Sequence, residues 1–160
     1  MRLLAGFPVD AMREVVAEAI EPVLRPLVYA EPLRLLDQHR ARGERTYVVS
    51  ATLQEIVERI ADDLGFDGAV GSTCEIVDGV YTGRSLRAVH GEEKAAAVRE
   101  LAAGQGLDLA VSTAYSDSAS DLPFLEAVGN PVVVNPHAKL RRIAAERGWP
   151  VLRFAERAAA

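Results

Sequence analysis

Cysteine occurs once in the 160 residues, at Cys74, so no intrachain disulfide can form. That scarcity fits a reducing, cytoplasmic setting. No apolar run approaches the ~18 residues that a membrane-spanning helix needs. Met1 to Gly6 is short and soon interrupted by Pro8, so it is not expected to act as a secretory leader. Excess basic charge is also missing. The net charge is −5, and Arg84, Arg87, Arg141, Arg142 and Arg147 are scattered rather than gathered into a patch. A nucleic-acid partner, which wants a basic face, is therefore disfavoured. His39, His90 and His137 do not fall at metal-ligand spacing. Neither a Gly-x-Gly-x-x-Gly fingerprint nor a Walker loop occurs. Cys74 has no His or Asn motif around it and reads as inert packing.

What is present is a globular composition, with 49% apolar residues. The length suits one domain with its own core. Asp10 can cap a helix to about Ile20, which Pro22 and Pro26 break. A second helix starts at Pro32 and stops at Gly43. Arg45 to Val49 reads as a buried strand ending at Ser50. Thr52 and Glu55 then form a capping box for a helix whose stripe is Leu53, Ile56, Val57, Ile60 and Leu64. Ala69 to Ser72 is a short strand. Asp78-Gly79 predicts a type I′ hairpin turn between residues 75–77 and 80–82.

Glu92 to about Ala103 follows as a helix with Ala97, Val98 and Leu101 inward. Leu109 to Tyr115 reads as a strand, Asp121 to Val128 as a helix, and Pro131 to Val134 as a strand. Asn135 caps a helix that ends at Gly148, and Val151 to Phe154 is a last strand. Strands alternating with helices predict an α/β fold with a largely parallel sheet.

The chemistry concentrates in Ser116-Asp117-Ser118-Ala119-Ser120-Asp121. Two carboxylates and several hydroxyls at the carboxyl end of a strand, just before a helix, sit where open α/β sheets place ligands. Such oxygens suit a hard cation such as Mg²⁺. The plainer reading of Asp121 is a helix cap, with Pro123 in the first turn behind it. Asp117 has no such excuse, because a buried carboxylate is costly unless paired or metal-bound. Ser50, at a strand-to-helix turn, could face an anion with the backbone N–H groups after it. Lys94 lies in a first helical turn, where the helix dipole disfavours a cation and an anionic ligand would explain one. The plainer alternatives are a small turn residue for Ser50 and a solvated lysine beside Glu92 and Glu93 for Lys94.

In order along the chain, Val48-Val49-Ser50-Ala51-Thr52, Gly91-Glu92-Glu93-Lys94-Ala95 and Tyr115-Ser116-Asp117-Ser118-Ala119-Ser120-Asp121-Leu122-Pro123 resemble the haloacid dehalogenase superfamily of phosphohydrolases. The branch is the one that resembles phosphoserine phosphatase, and the likeness covers residues 30–155. It implies a three-layer, Rossmann-like core. It also implies that Ser50 and Ala51 contact phosphate and that Lys94 holds phosphate and the nucleophilic carboxylate. Asp117 would ligate Mg²⁺ directly, and Asp121 would support the metal through its water shell or orient Lys94. The implied substrate is a small phosphorylated metabolite.

One part of the family pattern is absent. The motif Asp-x-Asp-x-Thr or Val, whose first Asp is the family's nucleophile, occurs nowhere in the 160 residues. Asp10 is followed two residues on by Met12; Asp37, Asp62, Asp63 and Asp108 have no such partner. The central strand that carries the motif in the family, and most of the cap, are expected to be missing. The chain then reads as the C-terminal part of a longer protein, with residues 1–29 a helical remnant, 30–155 the core and 156–160 a frayed tail. Exposed sheet edges would make self-association possible. Three readings stand: a phosphatase lacking its nucleophile segment, a noncatalytic phosphate- or partner-binding remnant, and a receiver-like domain, which the Ser50 and Lys94 motifs disfavour.

Overall fold

The computed structural model describes residues 2–158. They divide into two units, one of residues 2–89 with 155–158, the other of residues 90–154. The boundary at Val89–His90 falls inside the stretch that the sequence presents as continuous. Three of the four strand pairings are parallel, and helices separate the parallel strands, which bears out the α/β reading.

In the first unit, helix α1 (Val9–Ala19) runs on through a π-turn (Ile20–Leu24) and a 3₁₀ turn (Arg25–Leu27) instead of stopping, so Pro22 and Pro26 deform the helix rather than end it. Asp10 does not cap α1. It lies inside the first turn, paired with Arg13, and Pro8 precedes the helix. Helix α2 (Ala30–Ala41) is followed by strand β1 (Tyr47–Leu53), helix α3 (Gln54–Leu64) and the antiparallel pair β2 (Gly68–Val77) and β3 (Val80–Arg87). The sheet order is β1-β2-β3. The hairpin turn forms as predicted: Asp78 and Gly79 both take positive φ, 51° and 77°, the geometry of a type I′ turn. Tyr81, Cys74, Leu53 and Val9 form the buried cluster. Cys74 is packing, in keeping with its sequence reading.

The Thr52–Glu55 capping box does not form. β1 continues to Leu53, which precedes α3 without a side-chain cap. The reason is local: Thr52 N–H donates to Ser50 Oγ at 3.2 Å, and the β1–β2 register is irregular between Val49 and Leu53. The strand therefore runs three residues further, from the expected end at Ser50 to Leu53. Glu55 lies close enough to Tyr81 for its charge to act on the phenol, and among the described residues both Glu55 Oε2 and Tyr81 Oη are buried with no hydrogen-bond partner.

Residues 155–158 make backbone and side-chain contacts to the start of α2. Ala30 N–H donates to Glu156 O at 2.8 Å and Ala158 N–H to Val28 O at 2.9 Å. The Glu31 carboxylate accepts the Ala155 and Glu156 N–H groups, and Arg157 lies over the Tyr29 ring. Residues 159–160 lie outside the described residues.

In the second unit, helix α4 (Glu92–Gln105) precedes strand β4 (Thr113–Ser116), a 3₁₀ turn (Ala119–Asp121), helix α5 (Leu122–Glu126), strand β5 (Asn130–Val134), helix α6 (Ala138–Arg147) and strand β6 (Val151–Leu152). All three strands are parallel, in the order β4-β5-β6. Its core is Ala114, Leu125, Val133, Leu140 and Ala144. β4 begins four residues later than the sequence suggests. Asp108 Oδ1 accepts the Ala110 N–H, and Ser112 Oγ donates to Asp108 O, so the apolar run opens as a turn. Asn135 is not the cap of α6, which follows His137. Asn135 has φ 42° and bonds both backbone groups of Phe154.

Candidate active site

Strand periodicity places the first piece. Side chains alternate faces along a strand, so Ser116 shares the face of the core residue Ala114. Ser116 is 8% exposed, although it is polar and ends the strand. Helix periodicity places the second. Gly91, with φ 57° and ψ −126°, supplies a backbone entry to α4 that an L side chain rarely adopts. From that start the buried row runs Lys94, Ala97, Val98 and Ala102, so Lys94 begins the inward stripe. Lys94 is 8% exposed, which excludes the solvated-lysine alternative.

The third piece is Asp121. It is the residue before α5, but its carboxylate makes no capping bond. Asp121 Oδ2 instead accepts two donors: Lys94 Nζ at 2.8 Å and the Ser116 hydroxyl at 2.8 Å. The plain capping reading of Asp121 therefore fails. Lys94 Nζ also stands 5.8 Å from the centre of the Phe124 ring, within cation–π reach. An ammonium group has three donor protons. Among the described residues only Asp121 accepts one, so two remain uncommitted.

Asp117 lies beside this cluster in sequence and stands apart from it in contact. It is exposed, so the expected cost of burying it does not arise. Among the described residues it has no hydrogen-bond or ion-pair partner. The loop around it is stiffened by its serines. Ser118 N–H donates to Ser116 Oγ at 3.2 Å, and Ser120 N–H donates to Ser118 Oγ at 3.2 Å. Ser116 and Phe124 were missed as site residues. The alternation of serine at 116, 118 and 120, in phase with buried Ala114, was the available signal for Ser116.

Ser50 belongs to the first unit. It is half-buried in β1, and its oxygen is occupied by the Thr52 N–H, which leaves its own proton uncommitted. Ala51 is exposed, and its carbonyl accepts the hydroxyl of buried Ser72 at 2.8 Å. Ser72 Oγ in turn accepts the Val89 N–H at 3.0 Å.

Among the described residues no three His, Cys, Asp or Glu side chains gather into a site. Asp117 offers one free carboxylate, and Asp121 has Oδ2 engaged. That fits Mg²⁺ as a partial set, since Mg²⁺ is commonly held by one or two carboxylates with phosphate and water oxygens.

Comparison with known proteins gives the lineage. Residues 1–126 match the family model described as haloacid dehalogenase-like hydrolase. A probable phosphatase of Mycobacterium tuberculosis is 46% identical over 152 residues, 95% of this chain and 53% of that protein. A phosphoserine phosphatase of the same organism is 40% identical over 157 residues, 96% of this chain and 51% of that protein. The chain thus spans about half the length of these relatives. A crystal structure of a protein of unknown function from Bordetella pertussis superposes with a TM-score of 0.86 at 34% identity, covering 94% of this chain and 69% of that one.

Proposed function

The chain belongs to the haloacid dehalogenase-like hydrolases, and from that premise we propose that it carries the phosphate-holding part of a hydrolase acting on small phosphomonoesters, phosphoserine among them. The observation that supports this reading most is the buried Lys94 ammonium, paired once with Asp121 and left with two uncommitted protons. A buried cation with spare donors is suited to the oxygens of a phosphoryl group, whose charge it offsets in a site of low dielectric.

The other residues take separate roles. Asp121 holds the Lys94 ammonium in place. In the first unit, the Ser50 hydroxyl has its proton uncommitted and is able to donate to an anion's oxygen. Asp117 offers its free carboxylate to Mg²⁺, with Asp121 supporting the ion from outside its ligand shell. When bound, the ion would offset negative charge on the transferring group. Covalent phosphoryl transfer in this family also needs an aspartate nucleophile, and the sequence contains no Asp-x-Asp pair. The 160-residue chain by itself is therefore an inactive phosphate binder. That absence favours the second reading, a noncatalytic phosphate- or partner-binding protein.

Two measurements test the proposal. Inorganic phosphate should raise the melting temperature of the wild-type chain and leave that of Lys94→Met unmoved, because a ligand stabilises only the state that binds it. With Mg²⁺ and phosphoserine, the purified chain should release no phosphate steadily. Equal phosphate stabilisation of both proteins would overturn the Lys94 assignment. Steady release that Asp117→Asn abolishes would overturn the inactivity.

A further inference from the structure

Three polar side chains meet inside the second unit: Ser116, Asp121 and Lys94, each 8% exposed. Lys94 and Asp121 have roles in the phosphate-holding reading, but Ser116 has none. We propose that Ser116 is a positioning residue, which fixes the Asp121 carboxylate and through it aims the Lys94 ammonium at phosphate; this rests on the proposed function above.

The hydrogen-bond bookkeeping supports it. A hydroxyl has one proton and can accept as well. Ser116 Oγ accepts the Ser118 N–H at 3.2 Å, so the hydroxyl is oriented by backbone. Its proton goes to Asp121 Oδ2 at 2.8 Å. Lys94 can only donate, and it donates to the same oxygen. Asp121 Oδ2 thus receives two donors, one from each side chain.

The mechanical reason follows from side-chain freedom. The carboxylate torsion of Asp is broad and roughly two-fold, so one donor on a flexible stem fixes it poorly. Lysine carries much rotamer freedom of its own. Ser116 has neither weakness: it ends β4, which pairs with β5 through Ser116↔Val133. Rigidity therefore passes from the sheet to Ser116, to Asp121 and to the ammonium. Without the hydroxyl, Asp121 and Lys94 could still pair, but in more than one arrangement.

The test uses the 160-residue chain and inorganic phosphate, read at the Lys94 side chain by ¹⁵N NMR. Lys94 and Lys139 are the two lysines in the sequence, so the ammonium signals are easily assigned. Ser116→Ala should move the Lys94 ¹⁵Nζ signal toward that of exposed Lys139. It should also weaken phosphate binding about tenfold, the scale of losing a hydrogen bond to a charged group. Ser116→Thr, which keeps the hydroxyl, should restore both readouts. An Ala variant with a wild-type Lys94 signal and wild-type phosphate affinity would overturn the proposal. So would a Thr variant that folds and behaves like Ala. If the Ala variant does not fold, Ser116→Cys decides. Its weaker donor should give an intermediate Lys94 signal, and a wild-type signal would overturn the role. If the wild-type chain shows no response to phosphate, the phosphate reading falls. The Lys94 signal without phosphate still decides the positioning role on its own.

Discussion

Lys94 Nζ stands 2.8 Å from Asp121 Oδ2, and the two side chains are 10% and 11% exposed. A buried ion pair adds little net stability when whole, because desolvation cancels most of the attraction, yet removing one partner strands a charge. Asp121→Ala should therefore cost about 3 kcal/mol of folding stability, the lower end for a broken buried pair. The double change Lys94→Met with Asp121→Leu should recover most of that loss. Urea denaturation of the single and double variants measures it. Equal losses in both would show that packing, not the stranded charge, sets the cost.

Tyr81 gives a prediction at alkaline pH. Its burial, and next the negative charge of Glu55 beside it, push its phenol up to about 12 from an ordinary 10. A raised value means that the folded state favours the protonated phenol. The contribution is whole below pH 10 and is lost as pH rises from about 10 toward 12. Wild-type stability should fall faster than that of Tyr81→Phe across this window. At pH 7 the Phe variant should be nearly neutral, because among the described residues Tyr81 Oη has no hydrogen-bond partner to lose. Melting temperatures of both proteins at pH 7, 9.5 and 11 decide it.

The hairpin predicts the opposite sign in acid. Arg84 and then Thr82, both bonded to Glu75, hold its carboxyl down to about 2. A lowered value means that the pairing is intact above the ordinary carboxylate range and is lost as pH falls from about 4.5 to 2. Relative to its intrinsic rate at each pH, amide exchange in β2 and β3 should rise through that window in the wild type. In Glu75→Gln the rise should be absent and the protection lower throughout.

Residues 155–158 are predicted to hold the start of α2. Removing residues 155–160 takes the acceptor of the Ala30 N–H and the donors that pull the Glu31 carboxyl below its usual range. Ala30 should then exchange its amide proton faster than residues in the middle of α2. Uniform exchange in the shortened chain would show that the tail adds nothing local.

The elements whose sequence signals are local were legible. Asp78-Gly79 needs nothing but its own backbone to make the turn, and the α3 stripe needs nothing but its period. The misread boundaries share a cause. Thr52 looked like a cap because the rule is local, whereas the competing acceptor, Ser50 Oγ, is local too but unmarked. Asp117 and Asp121 could be picked out from spacing, but their difference could not. One is exposed and the other is held by Lys94, 27 residues away, and by Ser116. Ser116 was hidden because a serine ending a strand is usually a turn residue; only a neighbour's carboxylate gives it another use.

The most direct measurement is a titration of the wild-type chain with inorganic phosphate, following the Lys94 and Lys139 ¹⁵Nζ signals together. The predicted result is a saturable shift at Lys94, none at Lys139, and loss of phosphate binding in Lys94→Met. A Lys94 signal that stays fixed while phosphate binds would contradict the assignment of Lys94 as the phosphate holder.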